Sequence, residues 1–216
     1  GRRWTNADRD AAAVIDGILD SEALLQPAIA RELGRRLPGE QLLYVSNSMP
    51  VRDADSFFES RSDDLAIHGN RGASGIDGMI SSAAGAAASG RPTTLLIGDL
   101  AFQHDLGGLV AAASDEVTLT VIVIENQGGA IFDYLPISEL VDADLFNMLF
   151  RTPQGLDIAE VVAALGVEHI QVSDLRALGS CLEEHDGLRI ISIRVDPDLD
   201  RDQHRRIRQA IETRLR

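Results

Sequence analysis

The 216 residues contain no lysine, a single cysteine and no long apolar run, and each of these absences excludes a class of chemistry. All 20 basic residues are arginine, so neither a Schiff-base lysine nor the lysine of a phosphate-binding P-loop is available. A lone Cys181 rules out a disulfide framework. Its place in an amphipathic helical pattern points to packing rather than to a reactive thiol. No stretch of about 20 apolar residues exists, so a helical membrane span is not expected. The opening GRRWTNADRD has no apolar segment of the kind a secretory signal needs. A reducing, cytoplasmic setting fits all of this. The sequence starts on glycine rather than methionine, which gives the expectation of a piece of something longer.

The formal net charge is −14, which argues against a nucleic-acid backbone as partner. The basic residues near the C-terminus (Arg201, Arg205, Arg206, Arg208) alternate with Asp200, Asp202 and Glu212 and read as a solvated helix face. An acidic, lysine-free composition fits either a high-salt cytoplasm or a GC-rich genome. The length, with 44% apolar residues, allows one domain with a sizeable core.

Short apolar runs alternate with helical patterns. Strands are expected at 42–46, 65–69, 93–98, 119–125, 169–173 and 189–195. Several are continuous apolar runs, as in parallel strands covered on both faces. Helices are expected at Ile76–Ala88, Asp105–Ala113, Leu156–Leu165, Leu175–Glu184 and Asp198–Arg216. The alternation predicts an α/β fold, a doubly wound parallel sheet of about six strands with helices on both faces. Residues 1–38 read as one or two helices, a linker from a missing upstream part, ahead of a domain at 39–216.

Ligands of such a sheet sit outside the carboxyl ends of its strands. The polar, glycine-bearing segments just after the first four runs are SNSMPVRD, NRGASGIDG, GDLAFQHD and ENQGGAIFDYLP. Asp99 ends the third run and Asn126 follows the fourth. Residues 101–124 between them hold one helix and one strand, a single crossover, which puts Asp99 and Asn126 on neighbouring strand ends. A carboxylate, an amide oxygen and a backbone carbonyl are too few for a calcium cage. They suit Mg²⁺, which completes its octahedron with phosphate oxygens and water. Gly128 and Gly129 would let backbone N–H groups approach an anion. Taken singly, Gly98–Asp99 can be a helix N-cap and Asn126–Gly129 a turn; taken together, on consecutive strands, they point to a diphosphate–Mg²⁺ site.

Gly98-Asp99-Leu100 and Glu125-Asn126 resemble the Gly-Asp-Gly and Asn-Asn motifs of thiamine-diphosphate enzymes, with the third glycine and the first asparagine replaced. Five segments in order, SNSMPVRD, GNRGASGIDG, LIGDLAFQHDLGGL, NQGGAIFDYLP and LFRTPQGLDI, resemble one branch. That branch is the 2-succinyl-5-enolpyruvyl-6-hydroxy-3-cyclohexene-1-carboxylate synthases of menaquinone biosynthesis. The likeness runs from about residue 40 to 165 and is to their C-terminal cofactor domain. It implies a transferase that decarboxylates 2-oxoglutarate and adds the product to isochorismate, with thiamine diphosphate and Mg²⁺ or Mn²⁺ as cofactors. By the same resemblance Asp99, Asn126 and Gly128 hold the metal. Ser74, Gly75, Ile76, Gly98, Leu100, Ala101, Gly129, Ala130 and Ile131 complete the cofactor contacts, with Ile76 wedged under the two rings. Ser48, Arg52, Arg71, Phe132 and Leu135 face the substrates. Both substrates are polyanions, which suits guanidinium forks.

Other residues carry no assigned role. Glu125 has none that the pattern supplies, and His68 and His104 read as packing or surface. The family's activating glutamate sits on a pyrimidine-binding domain of another subunit. No segment here resembles that domain, so the expectation is a homo-oligomeric enzyme of which this chain is one half of an active site, silent alone. A non-catalytic or separately encoded cofactor-binding module is the alternative. A nicotinamide-binding Rossmann domain is disfavoured, because GASGIDG lacks the Gly-x-Gly-x-x-Gly spacing and follows the second strand rather than the first.

Overall fold

The computed structural model describes residues 1–19, 23–183 and 185–215. Six strands form one sheet in which every pairing is parallel: β1 (Leu42–Val45), β2 (Ala66–His68), β3 (Thr93–Gly98), β4 (Leu119–Glu125), β5 (Glu168–Val172) and β6 (Leu188–Arg194), in the order β2-β1-β3-β4-β6-β5. The expected doubly wound sheet is therefore present. Its direction of winding reverses between β1 and β3, and that is where a crevice opens at the carboxyl ends.

The strands are apolar because both faces are covered. Leu95, Ile97, Val121 and Val123 point to one side, against α4 (Met79–Ala87), α6 (Leu106–Ser114) and α9 (Ile158–Ala164). Leu96, Ile122, Ile124 and Ile191 point to the other, against α2 (Gln26–Arg36), α3 (Met49–Phe57) and α10 (Leu175–Cys181). This is the period-2 alternation of a strand, hidden in the sequence because both sets are apolar. β2 lies at the edge and leaves Ile67 and His68 exposed.

The described residues near the start of the chain form two packed helices. Ile29 and Leu33 of α2 join the core beneath the sheet, while Ile15 and Leu19 of α1 (Arg2–Leu19) meet Ile207 of α11 (Pro197–Arg214). The helices differ from expectation at several points, and α3 (Met49–Phe57) was not expected at all. The helix expected from Ile76 begins at Met79, because Gly78 takes a left-handed backbone, φ 66°, just before it. A short helix, α5 (Asp99–His104), precedes α6 in a stretch read as loop. α10 ends at Cys181, short of the expected Glu184, and α11 ends at Arg214, short of the expected Arg216; Glu184 and Arg216 themselves lie outside the described residues. No described helix is long and apolar enough to cross a membrane.

Candidate functional site

The loops after β1, β2, β3 and β4 enclose a cavity of about 390 Å³ at the winding reversal. Gly98 lies opposite Ile124 in the β3–β4 register, so Asp99 and Asn126 leave the sheet side by side. Asp99 accepts the Leu100 N–H at 2.7 Å on one oxygen and the Gly128 N–H at 3.1 Å on the other. It therefore ties the two strand ends together at the first residue of the helix that follows β3. Burial pushes its carboxyl above the ordinary range, opposed by the N–H groups of Gly128, Leu100, Asn126 and Gln127.

Asn126 is buried, and its amide oxygen has no hydrogen-bond partner. An orphaned buried acceptor beside a carboxylate fits a cation in this corner. Gly128 carries φ 105°, and its carbonyl accepts from Ala130 N–H at 2.8 Å. Among the described residues no cluster of three or more His, Cys, Asp or Glu could hold a metal. The donor set is thus one carboxylate, one amide and one carbonyl, which suits an ion that arrives with its own oxyanion ligands.

The glycine turn has a neighbour that its sequence did not announce. After β4 the chain forms a 3-10 turn, Ala130–Tyr134, and returns through a π-helical segment, Asn147–Arg151. A Cβ on Gly128 would collide with the Arg151 carbonyl, and one on Gly129 with the Phe150 carbonyl. Closeness to a diphosphate was the expected reason for these glycines; the backbone of 150–151 is a reason within the chain itself. Asp133 and Arg151 lock the two segments with a two-pronged pair at 2.7 and 2.6 Å. Phe132 and Phe150 add an edge contact with centroids 5.6 Å apart.

On the opposite wall, Ser48 holds φ 73°, a strained value for a residue with a side chain. Its carbonyl accepts from Arg52 Nη1 at 2.6 Å. Arg71 donates to the Asn47 amide oxygen at 2.6 Å, and Asn47 donates in turn to the Gly75 carbonyl at 2.6 Å. Asn47 was not singled out in the sequence, although it stands in the SNSMPVRD segment. Its signal is that of a buried amide at the end of a parallel strand.

The cavity gathers Ser48, Arg52, Arg71, Ser74, Ile76, Gly98, Asp99, Leu100, Ala101, Asn126, Gly128, Gly129, Ala130, Ile131 and Phe132. Gly75 and Leu135 are not among its lining residues; Leu135 faces outward, 47% exposed. Ile76 lines the cavity from a bend rather than from a helix start. Gln26, Asn47, Met49 and Pro50 also line it. His68 and His104 are exposed, and Cys181 is half-buried on α10. Glu125 stands opposite Arg194 in the β4–β6 register, with Arg194 Nε at 4.0 Å. Two arginines and one carboxylate give this crevice a basic balance on an acidic chain.

Residues 49–192 match the family described as thiamine pyrophosphate enzyme, C-terminal TPP binding domain. The chain is 43% identical over 189 residues to the 2-succinyl-5-enolpyruvyl-6-hydroxy-3-cyclohexene-1-carboxylate synthase of Myxococcus xanthus strain DK1622, covering 86% of this chain and 32% of that one. To the synthase of the same name from Chloroflexus aurantiacus it is 38% identical, covering 95% of this chain and 35% of that one. The chain thus spans about a third of the length of these curated relatives. The benzoylformate decarboxylase structure from Polynucleobacter necessarius superposes with a TM-score of 0.64 at 23% identity, covering 79% of this chain and 33% of that one.

Proposed function

The chain belongs to the thiamine pyrophosphate enzymes, as their C-terminal TPP binding domain, and from that premise we propose that it is the diphosphate-binding third of a 2-succinyl-5-enolpyruvyl-6-hydroxy-3-cyclohexene-1-carboxylate synthase. The observation that carries the proposal is the unpartnered Asn126 oxygen beside Asp99, in a cavity whose far wall bears Arg52 and Arg71.

Asp99, Asn126 and the Gly128 carbonyl would hold Mg²⁺ or Mn²⁺, and the Gly98–Ala101 and Gly129–Ile131 backbones would line the diphosphate. Ile76 would support the rings. Bound there, thiamine diphosphate supplies the electron sink for loss of carbon dioxide from a 2-oxo acid. The chain's own residues do the rest. Arg52 and Arg71 hold the carboxylates of 2-oxoglutarate and isochorismate and stay charged while doing so. Ile131 and Phe132 keep water from the reacting end and disfavour a charged carboxylate there. Ser48, strained at the head of α3, lines the same space.

Activation of the cofactor belongs to a pyrimidine-binding domain of a partner subunit. Leu135, Leu140, Leu145, Met148 and Leu149, after the glycine turn, are exposed apolar residues that such a domain would cover. The isolated chain is accordingly expected to fold and to lack turnover. In the full-length protein, Arg52→Ala or Arg71→Ala should raise the Michaelis constant of one acid substrate roughly tenfold or more, the loss of one charge-assisted bond. Cofactor affinity should stay within a few fold. Loss of cofactor binding with unchanged substrate kinetics would reverse the assignment.

A further inference from the structure

Behind the substrate wall of the cavity lies a buried polar cluster that the proposed chemistry does not use. His204 on α11 sits at its centre. Its Nε2 meets Asp53 Oδ1 at 2.7 Å, and its Nδ1 meets the Asp200 carbonyl at 2.8 Å and the Tyr134 hydroxyl at 3.0 Å. Phe57 and Tyr134 close on the imidazole edge to face, with centroids 5.5 and 5.4 Å away. Asp200 accepts the Gln26 N–H and the Gln26 side-chain amide, both at 2.8 Å. Asp53 and Asp200 are almost wholly buried.

The connections run to the cavity along three elements. Asp53 follows Arg52 on α3. Tyr134 closes the 3-10 turn that carries Ile131 and Phe132. Gln26, at the start of α2, lines the cavity itself. His204 therefore joins the arginine wall to the apolar wall through atoms that reach neither substrate nor cofactor. We propose that His204, with Asp53 and Tyr134, is a positioning residue that sets Arg52 against Phe132 across the cavity and so fixes the fit of the acid substrate. This rests on the reading of Arg52 as a substrate contact.

The proton count follows from the partners. A backbone carbonyl only accepts, so Nδ1 carries a hydrogen. The Asp53 carboxyl and Nε2 then share one further proton. The titratable and charged groups facing the cluster are Asp53 and Arg52 from α3, Tyr134 and Asp133 from the 3-10 turn, and Asp200 from α11 itself; α2 contributes the neutral Gln26. Burial alone would lower the imidazole's affinity for its proton, but the bond to Asp53 and the charges of Asp53 and Asp200 outweigh it. Loss of the shared proton at high pH leaves Nε2 and Asp53 as two facing acceptors, which separates the walls.

The test is steady-state kinetics on the full-length protein with 2-oxoglutarate as the varied substrate, beside calorimetric titration of thiamine diphosphate. Asp53→Asn and Tyr134→Phe keep side-chain shape and guard against His204→Ala failing to fold. The expected result is a rise of about tenfold in the Michaelis constant for His204→Ala and about threefold for Asp53→Asn. The turnover number and cofactor affinity should stay within about twofold. In the unaltered protein the substrate Michaelis constant should climb above neutral pH, and Asp53→Asn should flatten that climb. A cluster that only stabilised the fold would lower the melting temperature and leave these readouts unmoved, and that outcome overturns the proposal. Arg52→Ala run in parallel separates the two levels. If it leaves the Michaelis constant unchanged, the substrate reading of Arg52 is wrong and the positioning role falls with it; if it raises the constant while the folded His204 and Asp53 variants do not, the positioning role alone is wrong.

Discussion

The carbonyl oxygen of Arg151 fills the space that a side chain on Gly128 would need. The same oxygen accepts the Gly129 N–H at 2.7 Å, so the return segment is bonded to the glycine turn as well as packed on it. The glycine turn after β4 and the segment 147–151 are thus one unit.

Gly128→Ala should be costly for two reasons: φ is 105°, and the obstacle is backbone, which cannot step aside as a side chain would. We expect a loss of about 3 kcal/mol or more in denaturant unfolding, from strain plus displacement of the 150–151 segment. Gly166→Ala is the control. It has φ 68° with nothing near its missing Cβ, so only the left-handed cost of about 1–2 kcal/mol applies. Equal losses in the two variants would mean that the carbonyl contact is unimportant.

Asn126→Ala should separate stability from binding. The amide oxygen is buried without a partner, so its removal relieves an unsatisfied acceptor worth roughly 1 kcal/mol or more. The cofactor-free protein should melt at the same temperature or higher. Metal-dependent thiamine diphosphate affinity should fall at least about tenfold, the loss of one ligand. A destabilised apoprotein with unchanged affinity would show that Asn126 serves the fold and not the ion.

Most of the fold was legible because its physics is local. Leu95–Ile97 of β3 and Val121–Ile124 of β4 are continuous buried apolar runs, and the single crossover between them let the sequence put Asp99 and Asn126 on neighbouring strand ends, as the register does. The short α5 was missed because the N-cap reading of Gly98–Asp99 gave way to the diphosphate-site reading, although the helix does start at Asp99 with Gly98 before it. The start of α4 was misplaced because the left-handed state of Gly78 leaves no composition signal among so many glycines. Contacts between distant segments were out of reach. Asp53 and His204 lie 151 residues apart, and no periodicity links them. Asn47 was passed over for a related reason: its partners, Arg71 and the Gly75 carbonyl, come from the next loop.

Arg151→Ala should destabilise the domain by about 3 kcal/mol, because it strands a buried carboxylate. Asp133 is 3% exposed, and burial already pushes its carboxyl above the ordinary range against the pull of Arg151. Pairing the change with Asp133→Asn removes the uncompensated charge and should restore more than half of the loss. A double variant no more stable than Arg151→Ala would place the effect in packing of the 147–151 segment instead of in charge.

Stability should fall as pH rises from about 4 towards 8. Burial pushes the Asp53 carboxyl from its ordinary 3.8 to about 6, against the opposing hydrogen bond and charge of His204. The His204 imidazole is raised above its ordinary 6.5. In both cases the folded state binds the proton more tightly than the unfolded chain does, so the native form holds more protons over this range. Each group's stabilisation is complete below its unfolded value and is lost as pH climbs through its folded one. The Asp53 share disappears between about pH 4 and 6, and the His204 share disappears above 6.5. Buried Asp99, Asp133 and Asp200 shift the same way. The net charge of −14, which grows no smaller with pH, adds self-repulsion in the same direction. We expect the melting temperature of the cofactor-free protein to be higher at pH 5 than at pH 8 by roughly 5 °C or more. Asp53→Asn removes one titrating group and also the partner that raises His204, so it should flatten the fall between pH 4 and 6 and reduce the slope above 6.5. A melting temperature that rises with pH through this window would mean that the buried carboxylates are stabilised by their partners more than burial opposes them, and the order of those two effects would have to be reversed.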